Sequence, residues 1–115
     1  MGDDAIIGPL QHPCDLDLLL FFSRFPRVLL TNERLAQYVG YDMQSVVKSV
    51  ETLIDAAILS RSQNPNHEAR FYVFTPSQSD EWVRQVVSTA STREGRTRLL
   101  RILKDLELRR KAERS

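Results

Sequence analysis

The run Leu16-Asp17-Leu18-Leu19-Leu20-Phe21-Phe22-Ser23-Arg24-Phe25 constrains this chain most. Asp15 reads as its N-cap and Pro26 ends it, so the spacing predicts a helix. Wound as a helix, its apolar side chains surround almost the whole axis, and such a helix must be covered on more than one side. A chain of 115 residues is the size of one domain, so the cover has to come from its own later helices or from a second copy. The C-terminal helix, or a second subunit, is the obvious candidate.

The rest of the chain supplies shorter, one-sided elements. Residues 1–14 read as a loose arm with Gly8, Pro9 and Pro13. Val28-Leu29-Leu30 suits a short strand. Thr31 then looks like an N-cap with Glu33 in the first turn, Leu35, Ala36 and Val39 form a buried face, and Gly40 supplies a left-handed stop. A third helix is expected from about Met43 to Ala57. Val46, Val50, Leu53 and Ala57 form its inner stripe, and Gln44, Ser45, Lys48, Ser49, Glu51, Thr52 and Asp55 lie opposite. Two strands near 59–62 and 70–75 enclose the turn residues 63–68, and Pro76 closes the hairpin. Ser77 or Ser79 reads as the cap of a short helix carrying Trp82, Val83, Val86 and Val87, which Ser88 to Ser91 break. Ser91-Thr92-Arg93-Glu94 resembles a capping box opening a last helix to about Ala112. Its stripe is Leu99, Ile102, Leu103 and Leu106, too short for an autonomous coiled coil.

Composition removes several function classes. No apolar run approaches the ~20 residues needed to cross a bilayer, and residues 1–14 carry no secretory pattern, so the expectation is a cytoplasmic protein. Four glycines at positions 2, 8, 40 and 95 cannot build a phosphate-cradling loop. Two histidines, His12 and His67, far apart in the sequence, offer no nucleophile, base and orienting group together. The expectation is a non-enzyme without a cofactor. His12, Cys14, Asp15 and Asp17 lack metal-ligand spacing, and the carboxylates read as caps at a helix start. Cys14 is read as an ordinary thiol, and Trp82 and Phe21, Phe22 and Phe25 as core. Charge is uneven: the net is +1, yet residues 93–115 alone carry +5 and residues 15–76 carry −1. A basic tail on a mildly acidic body fits a nucleic-acid contact or a solvated helix.

The order helix, strand, helix, turn, helix, hairpin resembles the winged helix-turn-helix fold of small bacterial transcription regulators. The string Leu30-Thr31-Asn32-Glu33-Arg34-Leu35-Ala36-Gln37-Tyr38-Val39-Gly40-Tyr41-Asp42-Met43-Gln44-Ser45-Val46 carries the resemblance, which spans 62 residues from Asp15 to Pro76. Leu53-Ile54-Asp55-Ala56-Ala57-Ile58-Leu59-Ser60-Arg61 is similar to the family's exit into the first wing strand, although the family often has Gly where Ala57 stands. Phe71-Tyr72-Val73-Phe74-Thr75-Pro76 resembles the second wing strand. The expected architecture is therefore mainly α with a small β-hairpin wing: an arm (1–14), a winged helix-turn-helix domain (15–76) and a C-terminal helical extension (77–115).

The resemblance implies sequence-specific binding of double-stranded DNA, with the helix from Met43 in the major groove. Gln44, Ser45, Lys48 and Ser49 would then face bases, Arg61, Asn64, Asn66, His67 and Arg70 the backbone or minor groove, and Thr31 and Asn32 a phosphate through helix-start amides. Leu99, Ile102, Leu103 and Leu106 would join two copies as a homodimer reading two half-sites; the competing expectation is that the last helix folds back on the first. Because Glu51 and Asp55 share the outer face with Lys48, a winged helix that binds proteins rather than DNA is the alternative function.

Overall fold

A computed structural model of the chain describes residues 6–62, 68–77 and 80–114. The architecture is mainly α, with a three-stranded antiparallel sheet and a long C-terminal helix. In chain order the elements are α1 (Pro13–Arg24), β1 (Arg27–Leu30), α2 (Asn32–Val39), α3 (Met43–Asp55), β2 (Leu59–Arg61), β3 (Arg70–Phe74), α4 (Glu81–Ala90) and α5 (Arg93–Arg114).

α1 begins three residues earlier than expected. His12 is the N-cap and Pro13 takes the first helical position, where its fixed φ suits a helix and its missing N–H costs nothing. Asp15 is therefore not the N-cap. It sits three residues in and reaches back, its Oδ2 accepting from the N–H groups of Gln11 (2.8 Å) and His12 (3.1 Å). The arm is not loose in its described part, since Ile7 and Leu10 are buried in the main core. α1 is covered on several sides as its composition demands: Leu16, Leu18, Leu19 and Phe22 are all fully buried. Phe25, in contrast, stands out at the C-cap, 53% exposed, beside Phe21 at 5.2 Å.

The sheet order is β1-β3-β2, so β3 is central. Val28 pairs with Tyr72 and Leu29 with Phe71 on one side, and Arg61 with Tyr72 on the other. Tyr72 points inward, fully buried, with its ring 5.3 Å from Phe22. Leu29 and Phe71 stand opposite each other on the outer face and are 65% and 42% exposed. Between α3 and β2 the chain turns at Ala57, whose φ is +63°. That is the left-handed region, which carries a Cβ penalty for any residue but glycine. Gly40 turns the chain between α2 and α3 in the same region, at φ +79°, without that penalty.

α4 is capped at Asp80, not at a serine: Asp80 Oδ2 accepts from the N–H (2.8 Å) and hydroxyl (3.1 Å) of Ser77. Ser79 lies outside the described residues. Ser88 does not break the helix, which runs to Ala90 with Ser91 as C-cap. α5 then starts at Arg93, and the hydroxyl oxygen of the preceding Thr92 accepts from the Gly95 N–H at 3.0 Å. The corner is tight. A Cβ on Gly95 would lie 1.9 Å from the Thr89 carbonyl oxygen. From this corner α5 returns along α1, and Leu99 and Leu103 enter the same core as Leu16, Leu35 and Val46. The fold-back expected as one of two fates of the last helix is what this chain adopts. Leu99 and Leu103 are fully buried within one chain, so these two residues cannot form a seam between copies. Ile102 and Leu106 are half-buried against the core. Leu108 is 63% exposed.

Candidate nucleic-acid interface

Two local features present α3. Gly40 and Tyr41 end α2, the Gly40 N–H donating to the Ala36 carbonyl at 2.8 Å, and Asp42 then starts α3. Val46, Val50 and Leu53 hold the inner side of α3 in the core. On the outer side Gln44, Lys48, Glu51 and Asp55 are all exposed, within about 60° of one another at 100° per residue. That line holds one cation and two carboxylates.

Of the residues expected to face bases, Gln44 and Lys48 are exposed and Ser45 is half-buried. Ser49 is not on this face. It is 2% exposed and sits beside the Cys14 thiol of α1. The helical angle explains the misplacement: Ser49 falls about 40° from Leu53 but about 100° from Lys48.

The helix-start residues have internal work. Thr31 Oγ1 accepts from the Arg34 N–H at 3.1 Å, and Asn32 Oδ1 accepts from the Tyr72 hydroxyl at 3.1 Å. What they offer a phosphate is the first-turn amides of α2. In the hairpin, Arg61 and Arg70 are half-buried and lie near the Tyr72 hydroxyl, whose acidity burial lowers and the two arginines partly restore. Asn64, Asn66 and His67 lie outside the described residues.

The strongest polar cluster joins residues far apart in sequence. Asp17 on α1 accepts from the Tyr41 hydroxyl through Oδ2 at 2.6 Å and from Arg96 Nη2 through Oδ1 at 2.6 Å. The three elements tied this way are α1, the α2–α3 turn and α5. Burial and the Asp17 carboxylate push the Tyr41 hydroxyl well above its ordinary pKa, and the bond to Asp17 raises Arg96 further. A second tie, Arg110 Nη1 to Gln11 Oε1 at 2.6 Å, holds α5 near its far end. Nothing in the sequence pointed to these pairs, because the partners are 24, 79 and 99 positions apart.

Between the two ties a cleft of about 620 Å³ opens among α1, α3 and α5. Its lining includes His12, Cys14, Ser45, Lys48, Lys104 and Glu107. Burial pushes the Cys14 thiol up to about 11, with Asp15, Asp17 and Asp42 adding to the effect, so the thiol is neutral at ordinary pH. Among the described residues no group of His, Cys, Asp and Glu side chains is arranged to hold a metal ion. No described helix is long and apolar enough to cross a membrane.

Charge on α5 contrasts with that on α3. Among its described side chains α5 exposes seven cations (Arg93, Arg96, Arg98, Arg101, Lys104, Arg109 and Lys111) and three carboxylates. No protein-family model matches this chain, and neither a curated protein nor a solved structure matches it.

Proposed function

We propose that this chain is a winged helix-turn-helix protein that binds double-stranded DNA and regulates transcription. The observation that carries the reading is the exposed start of α3, with Gln44 and Lys48 outward, set in the order helix, strand, helix, turn, helix, hairpin. A helix presented this way fits the major groove, where Gln reads adenine and Lys reaches guanine or a phosphate. The cationic excess of α5 adds long-range attraction to a polyanion. Reading two half-sites takes two copies, and a second copy would have to meet Ile102, Leu106 and Leu108 or another face, since Leu99 and Leu103 are committed within the chain.

Fluorescence anisotropy of a labelled random duplex at about 50 mM salt tests the reading. Binding in the micromolar range is expected, weakened by added salt. Lys48→Ala should lower the affinity and reduce the salt slope by about one. A flat anisotropy trace at that salt concentration would remove DNA as the partner.

The second reading is a protein-binding winged helix. Glu51 and Asp55 beside Lys48 favour it, because two carboxylates on the outer line of α3 repel phosphates. If it holds, Glu51→Gln with Asp55→Asn leaves the duplex trace flat. If α3 faces DNA, the same double change tightens duplex binding.

A further inference from the structure

We propose that the outer edge of β1 takes up an extended acidic peptide as a fourth, antiparallel strand of the sheet, with an apolar side chain beside Leu29 and a carboxylate beside Arg27. The direction of the backbone groups carries the inference. The Phe71 carbonyl accepts from the Ser62 N–H at 2.9 Å, on the β2 side of β3, while the Phe74 N–H donates to the Pro26 carbonyl at 2.8 Å, on the β1 side. In an antiparallel ladder these directions alternate, so Phe71 and Val73 serve β2, and Arg70 and Tyr72 serve β1. Leu29 and Arg27 stand opposite Phe71 and Val73. Their N–H and C=O groups therefore point away from β3. β1 ends the sheet, and no described strand pairs with its outer side. Both residues are exposed. A donor and an acceptor at each of two alternate positions are thus open to a partner strand.

The side chains set what that strand carries. A residue opposite Leu29 lies on the outer face, beside Leu29 and, one strand further in, Phe71. Leu29 and Phe71 are both exposed, so an apolar side chain there continues an apolar row across three strands. The next residue on the same face lies beside Arg27, which forms no ion pair among the described residues. The three strands carry Arg27, Arg61 and Arg70 and no carboxylate. The carboxylates that flank them in sequence are placed or engaged elsewhere. Glu33 in the first turn of α2 and Glu68 ahead of β3 belong to the Leu30 end, because Arg70 pairs with Leu30. Asp55 precedes β2, on the opposite edge, and Asp80 is engaged by Ser77. A carboxylate on the added strand gives Arg27 its counter-charge.

The same chemistry selects against a second copy of this chain as the added strand. Edge to edge, that copy would bring Arg27, Val28, Leu29 and Leu30, none of them acidic. A short edge strand bearing a cation is a common guard against such self-pairing. An acidic peptide supplies the ladder groups, the apolar side chain and the counter-charge together. Antiparallel addition also fixes its order: an apolar residue, any residue, then Asp or Glu. The edge shares no residue with the outer line of α3, so the proposal stands apart from the DNA-binding reading.

The test uses the full-length, isotope-labelled chain and the synthetic peptide Ser-Thr-Val-Thr-Leu-Thr-Glu-Ser, without DNA. In the free chain the Leu29 amide should exchange with solvent much faster than the Val28 and Leu30 amides, which face β3. On titration the Arg27 and Leu29 amides should shift saturably, with a Kd below about 1 mM. At a peptide concentration about ten times Kd, exchange at Leu29 should slow about tenfold while Val28 and Leu30 stay as they were. Arg27→Glu should weaken binding about tenfold, and a peptide with Lys in place of Glu should restore it. Arg101→Gln, an exposed cation of α5, should leave binding unchanged. The proposal is overturned if the peptide does not saturate up to about 5 mM, or if the Glu and Lys peptides bind the unaltered chain equally. A Leu29 amide already protected without peptide, in a chain that sediments as a dimer, would give the edge to a second copy and overturn it as well.

Discussion

α3 and α5 are built alike and carry charge differently. Each sends an apolar stripe into one shared core: Val46, Val50 and Leu53 from α3, Leu99 and Leu103 from α5. Outside, α3 shows one cation and two carboxylates on its outer line, while α5 shows mostly cations. The positive charge thus sits largely on the helix that the winged-helix pattern does not use for reading. For a DNA-binding protein this divides the work. Local chemistry on α3 would discriminate bases, and the field of α5 would draw the polyanion in.

The comparison can be broken most sharply within α5 itself. Leu103 is fully buried in the chain's own core and Leu108 is 63% exposed. Leu103→Ala should cost about 2–5 kcal/mol in urea unfolding, and Leu108→Ala less than about 0.5 kcal/mol. Equal costs would mean that α5 does not fold back in solution.

A smaller effect should come from the joint between the two helices. Asp17 is the common partner of Tyr41 beside α3 and of Arg96 on α5, and its side chain is only 13% exposed. Asp17→Asn should cost about 1–3 kcal/mol, because both donors then lose their charged acceptor. Arg96→Gln should cost less, since its side chain is 47% exposed and solvent screens the pair. A double-mutant cycle separates the two couplings; no coupling between positions 17 and 96 would show that α5 and α1 are held by apolar packing alone.

The smallest effect is a gain. Ala57 turns the chain out of α3 at φ +63°. Ala57→Gly removes the Cβ penalty and should stabilise the fold by about 1 kcal/mol, read as a higher urea midpoint. α5 has no matching opportunity, because none of its described residues has a positive φ. A lower midpoint would mean that the backbone turns differently at this position.

What the sequence made legible follows from the range of the interactions. The caps at Thr31 and Gly40, the stripe of α3 and the β-rich run 71–74 are set by neighbours within a few residues, and each lies where periodicity puts it. The departure from glycine at Ala57 was visible too, and its backbone angle gives that departure a physical meaning. The start of α1 is not legible locally, because a proline suits an arm and a first helical position equally and an aspartate suits a cap and a first turn equally; Pro13 and Asp15 take the second role in each case. The covering of α1 was demanded by its composition, but the choice between a second copy and α5 was not. Nor was the cluster at Asp17, since Tyr41 and Arg96 reach it only after the chain has folded. The cleft was invisible for the same reason, with walls drawn from residues 12–17, 39–49 and 104–107.

The α4–α5 corner gives the molecule a lever. With 22 residues, α5 is about 33 Å long, so a tilt of about 10° at the corner moves its far end by roughly 6 Å. The backbone approach at Gly95 leaves no room for even a methyl group. A hydrogen atom at this position thus sets the heading of the whole C-terminal rod, and with it whether Lys104 and Arg110 arrive opposite the groups they face. Small changes at such a pivot would be felt at a distance, long before any apolar contact near it was lost.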